Sequence, residues 1–295
     1  MTLRDQRTKD GARLLSGLDC SAAIKAELEL ELDALSAAGK PVPQLVVVRV
    51  GADPASASYV KSKRKAAAAV GIRTEEYHLD ASITPGDLTA LIDRLNADDD
   101  VDGILLQLPL PSHLDDKLFL NQIRPDKDVD GFHPMNMGHM LTGSNPLLLP
   151  CTPRGIMELM TRYGVTFSGK KAVVIGRSNI VGKPVAVLLT QANATVTLCH
   201  SRTASLEAEV RGADLLIAAV GVPHLVKGEW LKEGAVVVDA GINRLESGKL
   251  VGDVDFDAAQ AHASAITPVP GGVGPMTVTM LILQTLIAAK ARRNL

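Results

Sequence analysis

The chain is predicted to be an α/β protein of two domains, because strand-like and helix-like segments alternate along its whole length. One is an N-terminal α/β domain completed by the C-terminal helix; the other is a Rossmann-like, doubly wound parallel-sheet domain. A length of 295 residues fits one large or two medium domains. At 46% hydrophobic and 22% charged there is ample apolar material for cores, and with only 3% aromatics the packing must rest on Ala, Val, Leu and Ile.

After a polar tail at 1–10, residues 19–38 carry Ala, Ile and Leu at helical spacing and stop at Gly39. QLVVVRV at 44–50 reads as a buried strand, and ASASYVKSKRKAAAAVG at 55–71 as an Ala-rich helix closed by Gly71. TEEYHLD (74–80) suits a second strand, and 84–98 a helix begun by Thr84 and Pro85. GILLQLPLP (103–111) is a strand running into a proline-rich turn. The stretch 132–154 has no strong periodicity and carries Pro134, Pro146, Pro150 and Pro153, so the domain boundary is expected there. Further strands are expected at 171–175, 195–200, 214–220 and 235–240, with helices between them and a sheet covered on both faces. A long apolar helix at 275–293 should return to the first domain. The expected division is 11–149 plus 276–295 for one domain and 150–275 for the other.

A formal net charge of −2 argues against a nucleic-acid binder. Cys20, Cys151 and Cys199 are too few and too far apart for a disulfide framework, and read as small core or turn residues. The seven histidines show no paired metal spacing, so no metal is expected. No apolar run approaches the ~20 residues of a membrane span, and the start lacks a signal peptide's apolar core, so the expectation is a soluble, cytoplasmic protein without a membrane partner.

KAVVIGRSNIVGKPVAVLL at 171–189 is a strand, a polar turn and a helix whose amino terminus suits a pyrophosphate. The glycine fingerprint is imperfect: Gly176, Ser178 and Val181 stand at its positions, with Gly182 displaced by one, so a plain βα turn is an alternative. The next strand ends in Cys199-His200-Ser201-Arg202-Thr203, without the acidic residue that would hold an unmodified ribose. Arg177 and Arg202 there favour the 2′-phosphate of NADP over NAD, unless they are simply solvated surface residues.

Tyr59 and Lys63 lie four apart on one helix face, with Ser56 in the first turn. Such a phenol and amine can pass a proton between substrate and water. A lysine base needs its pKa lowered from about 10.4, which burial and the neighbouring charges of Lys61, Arg64 and Lys65 would promote. A helix with several lysines is, read alone, more often a solvated face. Gln107 stands at the carboxyl end of a buried strand, where open α/β sheets bind ligands. Asp130, in PDKDVDGF, is able to accept two N–H bonds from an aminopyrimidine edge; locally, an Asx-turn or helix cap is the competing reading.

VGADPASASYVKSKRKAAAAVGI, QLPLP, DKDVDGF, PCTPRG, GRSNIVGKP and PVPGGVGPMT together resemble the bifunctional methylenetetrahydrofolate dehydrogenase/methenyltetrahydrofolate cyclohydrolase family over roughly residues 12–290. The resemblance implies oxidation of 5,10-methylenetetrahydrofolate with NADP, then hydrolysis of the methenyl form to 10-formyltetrahydrofolate. It implies a folate-binding catalytic domain, an NADP domain and a homodimer assembled through the latter. Lys63 matches the family's catalytic lysine, Tyr59 its partner that stacks on the pterin, and Gln107 the glutamine that tunes the lysine. Ser56, Asp130, Pro270, Gly271 and Gly272 match substrate-binding positions. Gly176, Arg177, Ser178, Ile180, Val181, Gly182, Ser201, Arg202, Thr203, Gly221 and Ile242 match cofactor-binding positions. The polar tail has no counterpart. The competing readings are another two-domain dehydrogenase, acting on shikimate or an amino acid, and a nucleotide sensor that has lost the chemistry. Neither calls for Tyr59, Lys63, Gln107 and Asp130 together.

Overall fold

The computed structural model describes residues 3–144 and 146–295, so residues 1–2 of the tail and Asn145 lie outside the described residues. In chain order, the first half runs β1 (Arg13–Leu14), α1 (Gly17–Ala37), β2 (Gln44–Val50), α2 (Pro54–Ala69), β3 (Arg73–Leu79), α3 (Pro85–Ala97), β4 (Gly103–Gln107), α4 (Asp116–Gln122) and α5 (Pro134–Thr142). Then come α6 (Cys151–Arg162), β5 (Lys171–Ile175), α7 (Gly182–Gln191), β6 (Thr195–Cys199), α8 (Leu206–Arg211) and β7 (Leu215–Ala218). The chain ends with β8 (Val236–Asp239), β9 (Asn243–Arg244), β10 (Leu250–Val251), α9 (Phe256–Ala259), β11 (Ala265–Ile266) and α10 (Val273–Arg293).

It divides into two compact units: Ile24–Cys151 with Val278–Leu295, and Met1–Ala23 with Thr152–Thr277. The first unit holds a parallel sheet in the order β3-β2-β4. The buried strands β2 and β4 pack through Val46, Val48, Ile104 and Leu106 against Leu88 and Ile92 of α3 and against Phe119. Caps set the helix starts: Asp53 accepts from Ser56 N before α2, and Thr84 from Asp87 N before α3, each followed by proline at the first turn. The aperiodic stretch 132–154 does contain a helix, α5, capped by His133, begun by Pro134 and ended by left-handed Gly143. It is too short for its apolar spacing to stand out from the prolines around it.

The second unit carries a six-stranded sheet, β1-β11-β8-β7-β5-β6, parallel throughout. Residues 11–23, expected in the first domain, belong here, because β1 pairs with β11 through Arg13↔Ala265 and Leu14↔Ile266. The described part of the polar tail is tied down as well: Leu14 N donates to Gln6 O at 2.7 Å, and Arg13 sits 3.0 Å from Asp5. Strand β6 is not covered on both faces; it ends the sheet, with Thr195 and Leu198 exposed. Against the expectation that no apolar run approaches a membrane span, α10 is long and apolar enough to cross a membrane by length and composition. Most of it is buried within the fold, as in the core helix of a soluble protein.

Candidate active site

In the three-stranded unit, α2 presents Val60, Lys63 and Ala67 on its buried side, while Lys61 and Lys65 point to solvent and Arg64 pairs with Glu76 at 2.6 Å. Lys63 is only 5% exposed, so the solvated-face reading fails for this one lysine. Its Nζ donates to Gln107 Oε1 at 3.2 Å and lies 4.7 Å from the centroid of the Tyr59 ring, a cation–π distance. Gln107 is the last residue of β4, and its Nε2 donates to Leu108 O at 2.7 Å. That bond turns the amide so that its oxygen faces the ammonium. Ser56 is buried in the first turn of α2, its N–H committed to the Asp53 cap.

Asp130 completes the group. Burial pushes its carboxyl up, and the nearby Lys63 charge and a hydrogen bond with Cys151 oppose the shift. Burial also raises the Tyr59 phenol, helped by the negative charge of Asp130, so at neutral pH the ring is an uncharged donor. The loop-closing role belongs to a different carboxylate. Asp128 accepts from Gly131 N at 3.2 Å, His133 N at 2.7 Å and Asn136 Nδ2 at 3.0 Å. Burial drives its pKa up to about 7 against those donors. Gly131, at φ +77°, is required in the same turn, since a Cβ would lie 2.1 Å from Leu149 C. Beneath the loop, Lys127 donates to the carbonyls of Leu95, Asn96 and Asp98 at the end of α3. The thiol of Cys151 donates to Val129 O at 3.2 Å, a contact with the aspartate loop that the spacing in sequence did not suggest.

In the six-stranded unit, the register ends at Ile175↔Cys199, and Arg177 and Ser201 each follow two residues beyond these neighbouring strand ends. Gly176 adopts φ +118°, and a Cβ there would lie 2.1 Å from Ala219 O; one on Gly182 would lie 1.9 Å from Gly176 O. Glycine at 182 lets the first turn of α7 close onto the end of β5, glycine at 176 lets that turn pass the Ala219 carbonyl after β7, and this cradle fits a pyrophosphate at the helix terminus. Ser178 Oγ accepts from Val181 N and Gly182 N, holding the turn open as a loop. Arg177, Ser201 and Arg202 are exposed, whereas the Thr203 hydroxyl accepts from His200 N at 2.9 Å and so shapes the turn itself. Ile180 is 48% and Ile242 57% exposed, high values for isoleucine. Ile242 joins Leu18, Gly241 and Pro270-Gly271-Gly272 around a mostly apolar cleft of about 290 Å³. Gly221 does not line that cleft; it lies in the loop after β7. Among the described residues, no three His, Cys, Asp or Glu side chains converge as a metal site. Asp53, Cys151, Asp239 and Asp253 were not found by sequence reasoning. A carboxylate ending an apolar strand, as in VVVD, was the available signal for Asp239.

Residues 15–130 match the model of the tetrahydrofolate dehydrogenase/cyclohydrolase catalytic domain, and residues 150–293 that of its NAD(P)-binding domain. The bifunctional protein FolD of Geotalea uraniireducens is 54% identical over 281 residues, covering 95% of this chain and 100% of that protein. The crystal structure of the bifunctional FolD methylenetetrahydrofolate dehydrogenase/cyclohydrolase from Campylobacter jejuni is 50% identical, with a TM-score of 0.93 over 96% of this chain and 100% of that one. The Trypanosoma brucei N5,N10-methylenetetrahydrofolate dehydrogenase-cyclohydrolase, solved with NADP cofactor and an inhibitor, is 41% identical, with a TM-score of 0.92 over 96% of this chain and 99% of that one. With two domain models covering most of its length and relatives above half identity, the chain belongs to the tetrahydrofolate dehydrogenase/cyclohydrolase family.

Proposed function

We propose that the chain oxidises 5,10-methylenetetrahydrofolate with NADP and hydrolyses the resulting 5,10-methenyltetrahydrofolate to 10-formyltetrahydrofolate. The observation that carries this reading is the buried Lys63 ammonium, 3.2 Å from Gln107 and over the Tyr59 ring, facing the charge of Asp130. Asp130 grips the amino-pyrimidine edge of the pterin through two N–H bonds, and the Tyr59 ring stacks on it. Ser56 borders the substrate within the same unit. As the free amine, Lys63 Nζ accepts the proton of the water that attacks the methenyl carbon and returns it to the folate nitrogen released when the carbon–nitrogen bond breaks, while Gln107 Oε1 accepts from the amine and orients it.

Gly176, Ser178, Val181 and Gly182 would hold the NADP pyrophosphate, and Arg177, Ser201, Arg202 and Thr203 its 2′-phosphate. Ile180, Gly221 and Ile242 would pack the rest of the dinucleotide. NADP supplies the hydride acceptor; the chain's own contribution to that step is alignment more than acid or base strength. The segment 11–149 with 276–295 serves as folate domain and 150–275 as NADP domain, although Arg13 and Leu14 pair into the latter's sheet and residues 11–23 fall within its compact unit.

Three buried thiols, Cys20, Cys151 and Cys199, outside any disulfide, support a cytoplasmic setting. The open edge at β6 supports a homodimer through this unit; analytical ultracentrifugation giving a monomer mass at micromolar concentration would refute it. One assay tests the chemistry: methylenetetrahydrofolate and NADP are mixed with enzyme, and NADPH and methenyltetrahydrofolate absorbance are followed together. Formation of NADPH with only transient methenyl accumulation is expected; no nucleotide reduction would end the proposal.

A further inference from the structure

Beyond the residues that would touch substrate or nucleotide, a pair of buried carboxylates holds the loops after β7 and β8. Asp253, fully buried after β10, accepts four hydrogen bonds: from Val220 N at 2.6 Å, Gly221 N at 3.0 Å, Val222 N at 2.9 Å and Asn243 Nδ2 at 2.9 Å. Three successive backbone N–H groups converging on one anion form a nest, here filled from within the chain. Asp239, at the end of β8, holds Asp253 in turn. Its carboxylate accepts from Asp253 N at 3.0 Å, Val254 N at 2.8 Å and Gly241 N at 2.9 Å. The fit leaves no slack, since a Cβ on Gly241 would lie 2.2 Å from Asp253 Oδ1.

The two loops so fixed leave the sheet at its carboxyl edge, where open α/β sheets take their ligands. They carry Gly221 and Ile242, and they keep apolar side chains in water: Val222 is 45% and Ile242 57% exposed. A loop that shows valine and isoleucine to solvent would collapse inward without a strong internal anchor, and Asp253 is that anchor.

We infer that Asp253 is a positioning residue for nucleotide binding: without touching the dinucleotide, it sets the loops 220–222 and 240–243 that receive it. This rests on the NADP-dependent reading given above. The donors divide evenly, Val220 and Gly221 on Oδ2, Val222 and Asn243 on Oδ1. In Asp253→Asn one oxygen becomes an NH2 group, so two donors lose their acceptor whichever way the amide turns.

The test compares wild type, Asp253→Asn and Asn243→Ala by NADP titration calorimetry and by both activities. For Asp253→Asn the expected result is a tenfold or greater rise in NADP Kd and KM. Its kcat at saturating NADP should stay within threefold, and its cyclohydrolase rate without nucleotide within twofold. Asn243→Ala, which deletes one donor and leaves the carboxylate in place, should raise the NADP KM by twofold to tenfold. A folded Asp253→Asn with an NADP Kd within twofold of wild type overturns the inference, and so does an equal fall of both activities. Where Asp253→Asn fails to fold, an unchanged KM in Asn243→Ala overturns it. Calorimetry separates this inference from the functional proposal: wild type that binds NADP but does not turn over defeats the latter alone.

Discussion

Replacing Lys63 by methionine tests the centre of the proposed chemistry with little disturbance to the fold. Methionine keeps the unbranched apolar stem that threads the buried face of α2, and a volume-conserving exchange of this kind costs under about 1.5 kcal/mol in packing. The other structural losses are the 3.2 Å bond to Gln107 Oε1, the ring contact with Tyr59 and the positive charge beside Asp130, whose raised carboxyl can take up a proton instead. Leaving the half-buried Gln107 acceptor unmet costs about 1–3 kcal/mol. A domain stable by roughly 5–15 kcal/mol survives these. The catalytic loss is of another kind. Proton transfer by a positioned side chain contributes roughly 10²–10⁴ in rate, about 3–5 kcal/mol of barrier. The methenyltetrahydrofolate hydrolysis rate of Lys63→Met should therefore fall by at least two orders of magnitude, with the circular dichroism spectrum unchanged. Nucleotide reduction, which asks for alignment more than for a base, should fall by a smaller factor. The assay is methenyl absorbance decay for the first and NADPH formation for the second. A folded Lys63→Met that hydrolyses the methenyl substrate at the wild-type rate removes this amine from the mechanism.

Asp130→Ala should raise the methylenetetrahydrofolate KM or abolish turnover, and steady-state kinetics indistinguishable from wild type would refute the pterin contact. Arg177→Ala should weaken NADP by about tenfold, the scale of one charge-assisted bond at an exposed site, and NAD by less. Equal effects on the two nucleotides would count against a 2′-phosphate contact. Asp128 titrates near 7 in the folded chain because burial outweighs its N–H donors, against an ordinary value of 3.8. Between those values the folded state holds a proton that the unfolded state has released, so stability falls as pH rises from about 4 to about 7. Asp128→Asn removes this titration, and denaturant midpoints should show a wild-type-minus-variant difference that declines across that window. A difference independent of pH would show that Asp128 is ionised throughout.

Local pattern carried much of this molecule. QLVVVRV coincides with β2 and KAVVI with β5, because consecutive β-branched residues leave little alternative to a buried strand. Thr84-Pro85 marked the start of α3 because a cap acts within one turn. Helical spacing alone placed Tyr59 and Lys63 on one stripe, and the glycines at 176 and 182 announced a close approach of helix to strand. Pattern was silent wherever a role depends on what the chain brings from far away. Two-residue strands such as β1 and β11 are too short to show alternation, and pairing partners 252 residues apart tie Arg13 and Leu14, and with them residues 11–23, to the second unit (Arg13↔Ala265). Burial is likewise a property of the packed chain: of the basic residues on α2, folding buries Lys63 and leaves Lys61 and Lys65 in water. Which aspartate of DKDVDGF closes the loop and which faces the lysine is settled by hydrogen bonds to Gly131, His133 and Asn136. Asp253, which no local pattern singled out, gathers donors from two separate loops. Short-range propensity is written residue by residue, but desolvation and hydrogen-bond partnership exist only once distant segments meet.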